Sequence, residues 1–250
     1  TLAAANSYSG GTLLTGGELI VTHAAGLGTG AITVRGTAEL DYTVAATLTN
    51  TLAVAAGGTA VLDTHTETLV LAGVISGDGG ISKIGAGVVA LAAVNTYAGT
   101  TVIDEGTLRT DVAGALPSGS AVRIATGATL DLSGWNQSIA SLDGSGAVTL
   151  GSAALSVGAD TGSSTFAGLL SGSGSLAKVG ASTFTLAGAN SYTGGTSLAG
   201  GTLAIGDAGA LGSGALSFLG SGTLAFGGAF TLANAVELAT GAEATFDTAG

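Results

Sequence analysis

The chain has 250 residues, 46% of them hydrophobic and only 8% charged, with 46 glycines, one proline and no cysteine. That composition excludes an apolar-poor disordered tail, a collagen helix and any disulfide or thiolate framework. Sixteen acids against five bases give a net charge of −11, which argues against nucleic acid or an anionic membrane surface as a partner, and no apolar run approaches the roughly 18 residues of a transmembrane helix.

The opening "TLAAANSYSG" has no initiator Met and no charged segment leading into an apolar one, so it reads as an internal start and the chain as an excerpt of a longer one. From Asn6 runs "NSYSGGTLLTGGELIVTHAAGLGTG", which recurs as "NTYAGTTVIDEGTLRTDVAGALPSG" from Asn95 and as "NSYTGGTSLAGGTLAIGDAGALGSG" from Asn190. With Tyr8, Tyr97 and Tyr192 as origins, 89 and 95 residues apart, the three copies align without a gap. The alignment matches Thr12 with Thr101 and Thr196, Gly17 with Gly106 and Gly201, and Leu27 with Leu116 and Leu211. A segment written three times is an architectural unit before it is a site. His23 falls where the other copies carry Val112 and Asp207, too variable a position for a catalytic group.

Next come short runs of alternating polarity, "GAITVRG" from Gly30 and "VLDTHTETLV" from Val61, which read as strands of four to six residues. In the second, Asp63, His65 and Glu67 fall at i, i+2 and i+4, on one face of a continuous strand. One imidazole and two carboxylates are a candidate set for a divalent metal; the competing reading is a solvated outer face, and no metal or cofactor is expected. Thr64, Thr66 and Thr68 take the opposite face and read as strand formers.

"ISGDGGISKIGAGVVALAA" at 75–93 precedes the second copy, and "LSGSGSLAKVGASTFTLAG" at 170–188 the third, so that Lys83 and Lys178 each stand fourteen residues before their Tyr. These lysines are expected to pair with carboxylates on the surface. "GDGG" at 77–80 and "LDGSG" at 142–146 read as tight turns, since tandem calcium-binding nonapeptides and a general base for a nucleophilic Ser are both missing. "SAVRIATGATLDLSG" from Ser120 and "GAVTLGSAALSVG" from Gly146 continue the alternation. Trp135, between them and beside Asn136 and Gln137, reads as a half-buried packing residue at a corner, with stacking on a sugar as the competing reading. No helical period is sustained, and glycine at this density costs a helix about 1 kcal/mol per residue relative to Ala.

Short alternating strands, glycine punctuation and a long internal repeat point to a β-solenoid. Small Ala, Val and Leu side chains fill a thin interior, and coils stack at the usual strand spacing. At about 20 residues per coil the chain makes roughly a dozen coils and a rod about 60 Å long. The expected organisation is one continuous solenoid over 1–250, with units near 2–74, 75–169 and 170–250.

The blocks Leu170–Gly214 and Ile75–Gly119, with a partial third from Leu2 to Gly30, resemble the autotransporter-associated, or passenger-associated transport, β-strand repeat of bacterial type V secreted proteins. The resemblance implies an all-β, right-handed parallel β-helix with almost no α-helix. It further implies export to the cell surface through a C-terminal outer-membrane barrel outside these residues, and a stalk that supports adhesion or display. Partners would be host or neighbouring-cell surface molecules, or other copies of the chain. A self-associating extracellular filament or biofilm protein is the alternative. A polysaccharide-active β-helix enzyme is a further one, disfavoured because the five bases Arg35, Lys83, Arg109, Arg123 and Lys178 are scattered along the chain; no enzymatic activity is expected.

Overall fold

In a computed structural model describing residues 1–159 and 162–248, the described residues form 29 short strands and no helix. Alternation decides which side chains enter: Ile32–Val34, Leu52–Val54 and Thr196–Leu198 each bury their first and third residues and leave the middle one partly exposed. Each pairing is parallel and links a strand to one about a coil later, so Thr12 opposes Ile32, Ile32 opposes Leu52 and Leu52 opposes Ile75. The result is a parallel β-solenoid of about 12 turns with roughly 20 residues per coil.

Three faces enclose the core. One is a sheet of twelve strands from Gly17–Val21 to Ala244–Asp247, and the next a sheet of seven from Ala46–Leu48 to Leu169–Ser171. The third is divided into a four-stranded sheet, Thr12–Leu14 to Ile75–Ser76, and a six-stranded one, Gln137–Ile139 to Val236–Leu238. Inside the twelve-stranded face one residue per coil stacks on the next: Leu40 on Leu62, Leu62 on Lys83, Lys83 on Ile103 and Ile103 on Ile124. All five are fully buried, and each apolar member contributes about 1.5–3 kcal/mol by leaving water.

Breaks in the faces coincide with the repeated stretch. The second copy interrupts the third face: Thr96 N bonds to Ile75 O at 2.9 Å without forming a strand, and the face resumes as strand only at Gln137. The first and third copies flank the seven-stranded face instead, which begins at Ala46 and ends at Ser171, beyond which Ser191 N bonds to Leu170 O at 2.9 Å. Spacings of 89 and 95 residues are not whole multiples of the coil, so the middle copy is rotated by one face relative to the others. The twelve-stranded sheet alone runs past all three copies.

Candidate functional site

The Asp-x-His-x-Glu run does not lie on one strand. Thr59–Asp63 ends at Asp63, and the chain turns through Thr64–Glu67, closed by a 2.6 Å bond from Glu67 N to Thr64 O, with His65 at φ 45°. Glu67 is thereby carried away from the other two. In its place comes Asp41 from the preceding coil, which stands in register with Asp63. His65 Nε2 lies 2.7 Å from Asp41 Oδ1, Asp63 Oδ1 accepts the His65 amide at 2.8 Å, and one donor atom from each of the three lies within 4.8 Å of the others. The hydrogen bond to Asp41 is the main cause that raises the imidazole pKa above its ordinary value, with the Asp63 charge next. Glu39 shares this outer face and is raised too, first by burial and then by the Glu18 carboxylate opposite it.

The recurring Asn, Tyr and Thr side chains at the head of the repeat are bonded between or within coils. Asn95 accepts the Ile75 amide at 2.7 Å and donates to Ala115 O at 2.8 Å; Asn190 accepts the Leu170 amide at 2.8 Å and donates to Ala210 O at 2.6 Å. The side-chain amide thus replaces the backbone ladder where the strand is missing. Two residues on, Tyr97 and Tyr192 point into the core, with their hydroxyls bonded to Thr101 (2.6 Å) and Thr196. Tyr8 pairs with Thr12 at 2.8 Å in the same way. Burial raises the Tyr192 pKa to about 12 and that of Tyr97 further, the hydroxyl bonds opposing it. Beyond the repeat, Asn50, Gln137 and Asn234 make equivalent bonds: Asn50 and Asn234 donate to Gly30 O and Gly214 O, both at 2.6 Å, and Gln137 donates to Val112 O at 2.8 Å. Asn136 accepts the Ala154 amide at 2.8 Å, so all six asparagines and the single glutamine of the chain carry bonds from one coil to the next.

The two repeated lysines are not on the surface. Lys83 and Lys178 are fully buried because they occupy the inward phase of their strands, stacked on Ile103 and Leu198. The Lys83 ammonium donates to the carbonyls of Ile84 (2.7 Å), Gly85 (2.7 Å) and, one coil on, Glu105 (3.4 Å). Lys178 repeats this with Val179 (2.6 Å), Gly180 (3.1 Å) and Gly200 (3.4 Å). Each caps the carbonyls at a corner from inside the core and not, as expected, on the surface, and among the described residues Lys83 forms no ion pair with a carboxylate. Burial holds the Lys83 pKa down to about 8, with the Asp63 and Glu105 charges pulling upward.

The remaining sequence candidates resolve into turn chemistry. His23 Nδ1 accepts the amide of Ala25 at 3.1 Å, and Asp207 accepts that of Gly209 at 2.7 Å, so in two copies the variable repeat position caps a turn, while Val112 in the other offers no side-chain acceptor. Gly77 at φ 99° and Gly144 at φ 106° take conformations that only glycine adopts freely, which accounts for "GDGG" and "LDGSG". Arg109 is bound to Asp111 at 2.7 Å. Trp135 is half-buried, with 46% of it exposed. Thr64 is fully buried and Thr66 exposed in the turn, so the threonines form no common face.

Fold and bonding together define a parallel β-solenoid built from a repeated module whose polar residues join the coils. The passenger-associated-transport-repeat model matches residues 1–21, 81–109 and 176–205. The chain is also 40% identical over 154 residues to the adhesin BmaC autotransporter of Brucella suis biovar 1 (strain 1330), a match that covers 59% of the chain and 4% of that much longer protein. Together the repeats and this relative support an autotransporter passenger domain. No solved structure matches the chain.

Proposed function

We propose that the chain is a length of shaft in a bacterial autotransporter passenger, carried through the outer membrane to the cell surface, where it holds an adhesive region away from the cell. One observation supports this above others: the recurring residues Asn95, Tyr97, Thr101 and Lys83, with their counterparts Asn190, Tyr192, Thr196 and Lys178, are spent on bonds within the solenoid. None of these groups is presented to a partner. Residues 1–250 act as one continuous solenoid. Adhesion to host or neighbouring-cell molecules, or to other copies, and the outer-membrane barrel belong to parts of the protein beyond these residues.

Stacking about 12 turns at about 4.8 Å each gives a rod of roughly 58 Å. Small-angle scattering on the purified chain should return that length, and the chain should show no saturable binding to epithelial cells. In the full-length protein, an in-frame deletion of 75–169 should shorten the surface projection while adhesion survives. Saturable cell binding by the isolated chain would overturn the shaft reading and make this segment the adhesive part itself.

A further inference from the structure

We infer that Asp41, Asp63 and His65 form a binding site for a first-row divalent cation of the zinc class. The argument begins with charge. On the outer face of the twelve-stranded sheet Glu18 stands in register with Glu39 and Asp41 with Asp63, and like charges directly opposite on neighbouring strands repel. Among the described residues, no Lys or Arg forms an ion pair with any of the four; the counter-group in contact is the His65 imidazole, charged only when protonated, while the buried Lys83 ammonium feels the Asp63 charge from beyond ion-pair distance. The Asp41 side chain is 7% exposed, so its negative charge is held largely out of water beside a second carboxylate. Its other oxygen takes no hydrogen bond from a described residue.

Geometry carries the next step. Two ligand atoms bound at about 2.0–2.2 Å to one ion lie about 3–3.5 Å apart at tetrahedral or octahedral angles. The imidazole nitrogen and the Asp41 oxygen, at 2.7 Å, need open by only a few tenths of an ångström for an ion to replace the proton between them. Asp63 has one oxygen fixed by the His65 amide, and this bond holds its carboxylate at the site. An imidazole with two carboxylates favours zinc and its first-row neighbours over calcium or magnesium, which prefer all-oxygen sets. Three protein ligands leave a position for water. The bound ion would join the Asp41 coil to the Asp63–His65 turn of the next.

The chain contains only two histidines and no cysteine, which makes the test specific. Chelator-treated protein titrated calorimetrically with zinc chloride at pH 7.5 should show one saturable site in the micromolar range. Asp41→Asn and His65→Ala should each weaken it at least about tenfold, and His23→Ala should leave it unchanged. In the unmutated chain, where folding is not in question, the imidazole NMR resonances of His65 should move at one equivalent of zinc while those of His23 stay in place. Absent saturable heat, a loss in His23→Ala equal to that in His65→Ala, unmoved His65 resonances, or calcium binding tighter than zinc would each overturn the assignment.

Discussion

Asn95 Oδ1 takes the amide hydrogen of Ile75 at 2.7 Å, a bond that a backbone carbonyl makes wherever the strand is intact. The same side chain donates upward to Ala115 O at 2.8 Å, so one amide joins three successive coils. Truncating Asn95→Ala leaves a buried N–H and a buried C=O without partners and should cost about 2–4 kcal/mol. Because coils contact only their neighbours, the loss should be local. Hydrogen exchange should speed up at Ile75 in Asn95→Ala and at Leu170 in Asn190→Ala, with distant coils unchanged; uniform acceleration along the chain would contradict the role given to these residues.

Two buried tyrosines of similar setting should respond in opposite ways to the same substitution. Tyr97 is bonded to Thr101 at 2.6 Å, whereas the Tyr42 hydroxyl is buried without a partner among the described residues, as is that of Thr64 in the next coil. Tyr97→Phe should therefore cost about 1–2 kcal/mol, and Tyr42→Phe should be neutral or stabilising by up to about 1 kcal/mol, since an unsatisfied polar group is removed. Urea unfolding followed by circular dichroism separates the two; equal losses would show that Tyr42 is satisfied in solution.

Lys83→Met is nearly isosteric in the core but leaves the carbonyls of Ile84, Gly85 and Glu105 without their common donor. The apolar replacement recovers the desolvation of the charge, so the net effect should be moderate, about 1–3 kcal/mol destabilising. Lys83→Arg should be worse than Met, because the larger guanidinium does not fit a site with no exposure. Thermal melts of the two variants test the order.

How these residues could be read from the sequence depends on range. The solenoid was legible, because alternation and glycine are local and the three copies repeat them. The inward lysines were legible in principle: Ile81 with Lys83, and Leu176 with Lys178, share the i, i+2 phase of one strand, and that phase is inward. Asp41 was not, since joining it to Asp63 requires knowing which residues one coil apart come into register. The rotation of the middle copy was equally hidden, because it follows from the small remainder of 89 and 95 residues over a coil length that varies. Ile32 to Leu52 is 20 residues and Leu52 to Ile75 is 23. Glu67 was misplaced for a simpler cause: the strand ends at Asp63, four residues before it.

Alkaline pH should unfold the chain through its buried phenols. Burial raises Tyr192 from 10.0 to about 12, and raises Tyr97 and Tyr42 further. A group whose pKa is higher folded than unfolded holds more proton in the native state, so its stabilisation is complete below pH 10 and is withdrawn as pH rises through the native value. Across pH 10 to 12 Tyr192 alone should remove on the order of 2–3 kcal/mol, and Tyr97 and Tyr42 add to this in the same direction. Ionisation of these three phenols, read as absorbance at 295 nm, should therefore appear together with the loss of the strand signal in circular dichroism, in one cooperative step. In Tyr97→Phe with Tyr192→Phe, compared at matched urea stability, the alkaline midpoint should move upward. Phenol ionisation completed near pH 10 with the strand signal intact would show that these rings are not held in the core.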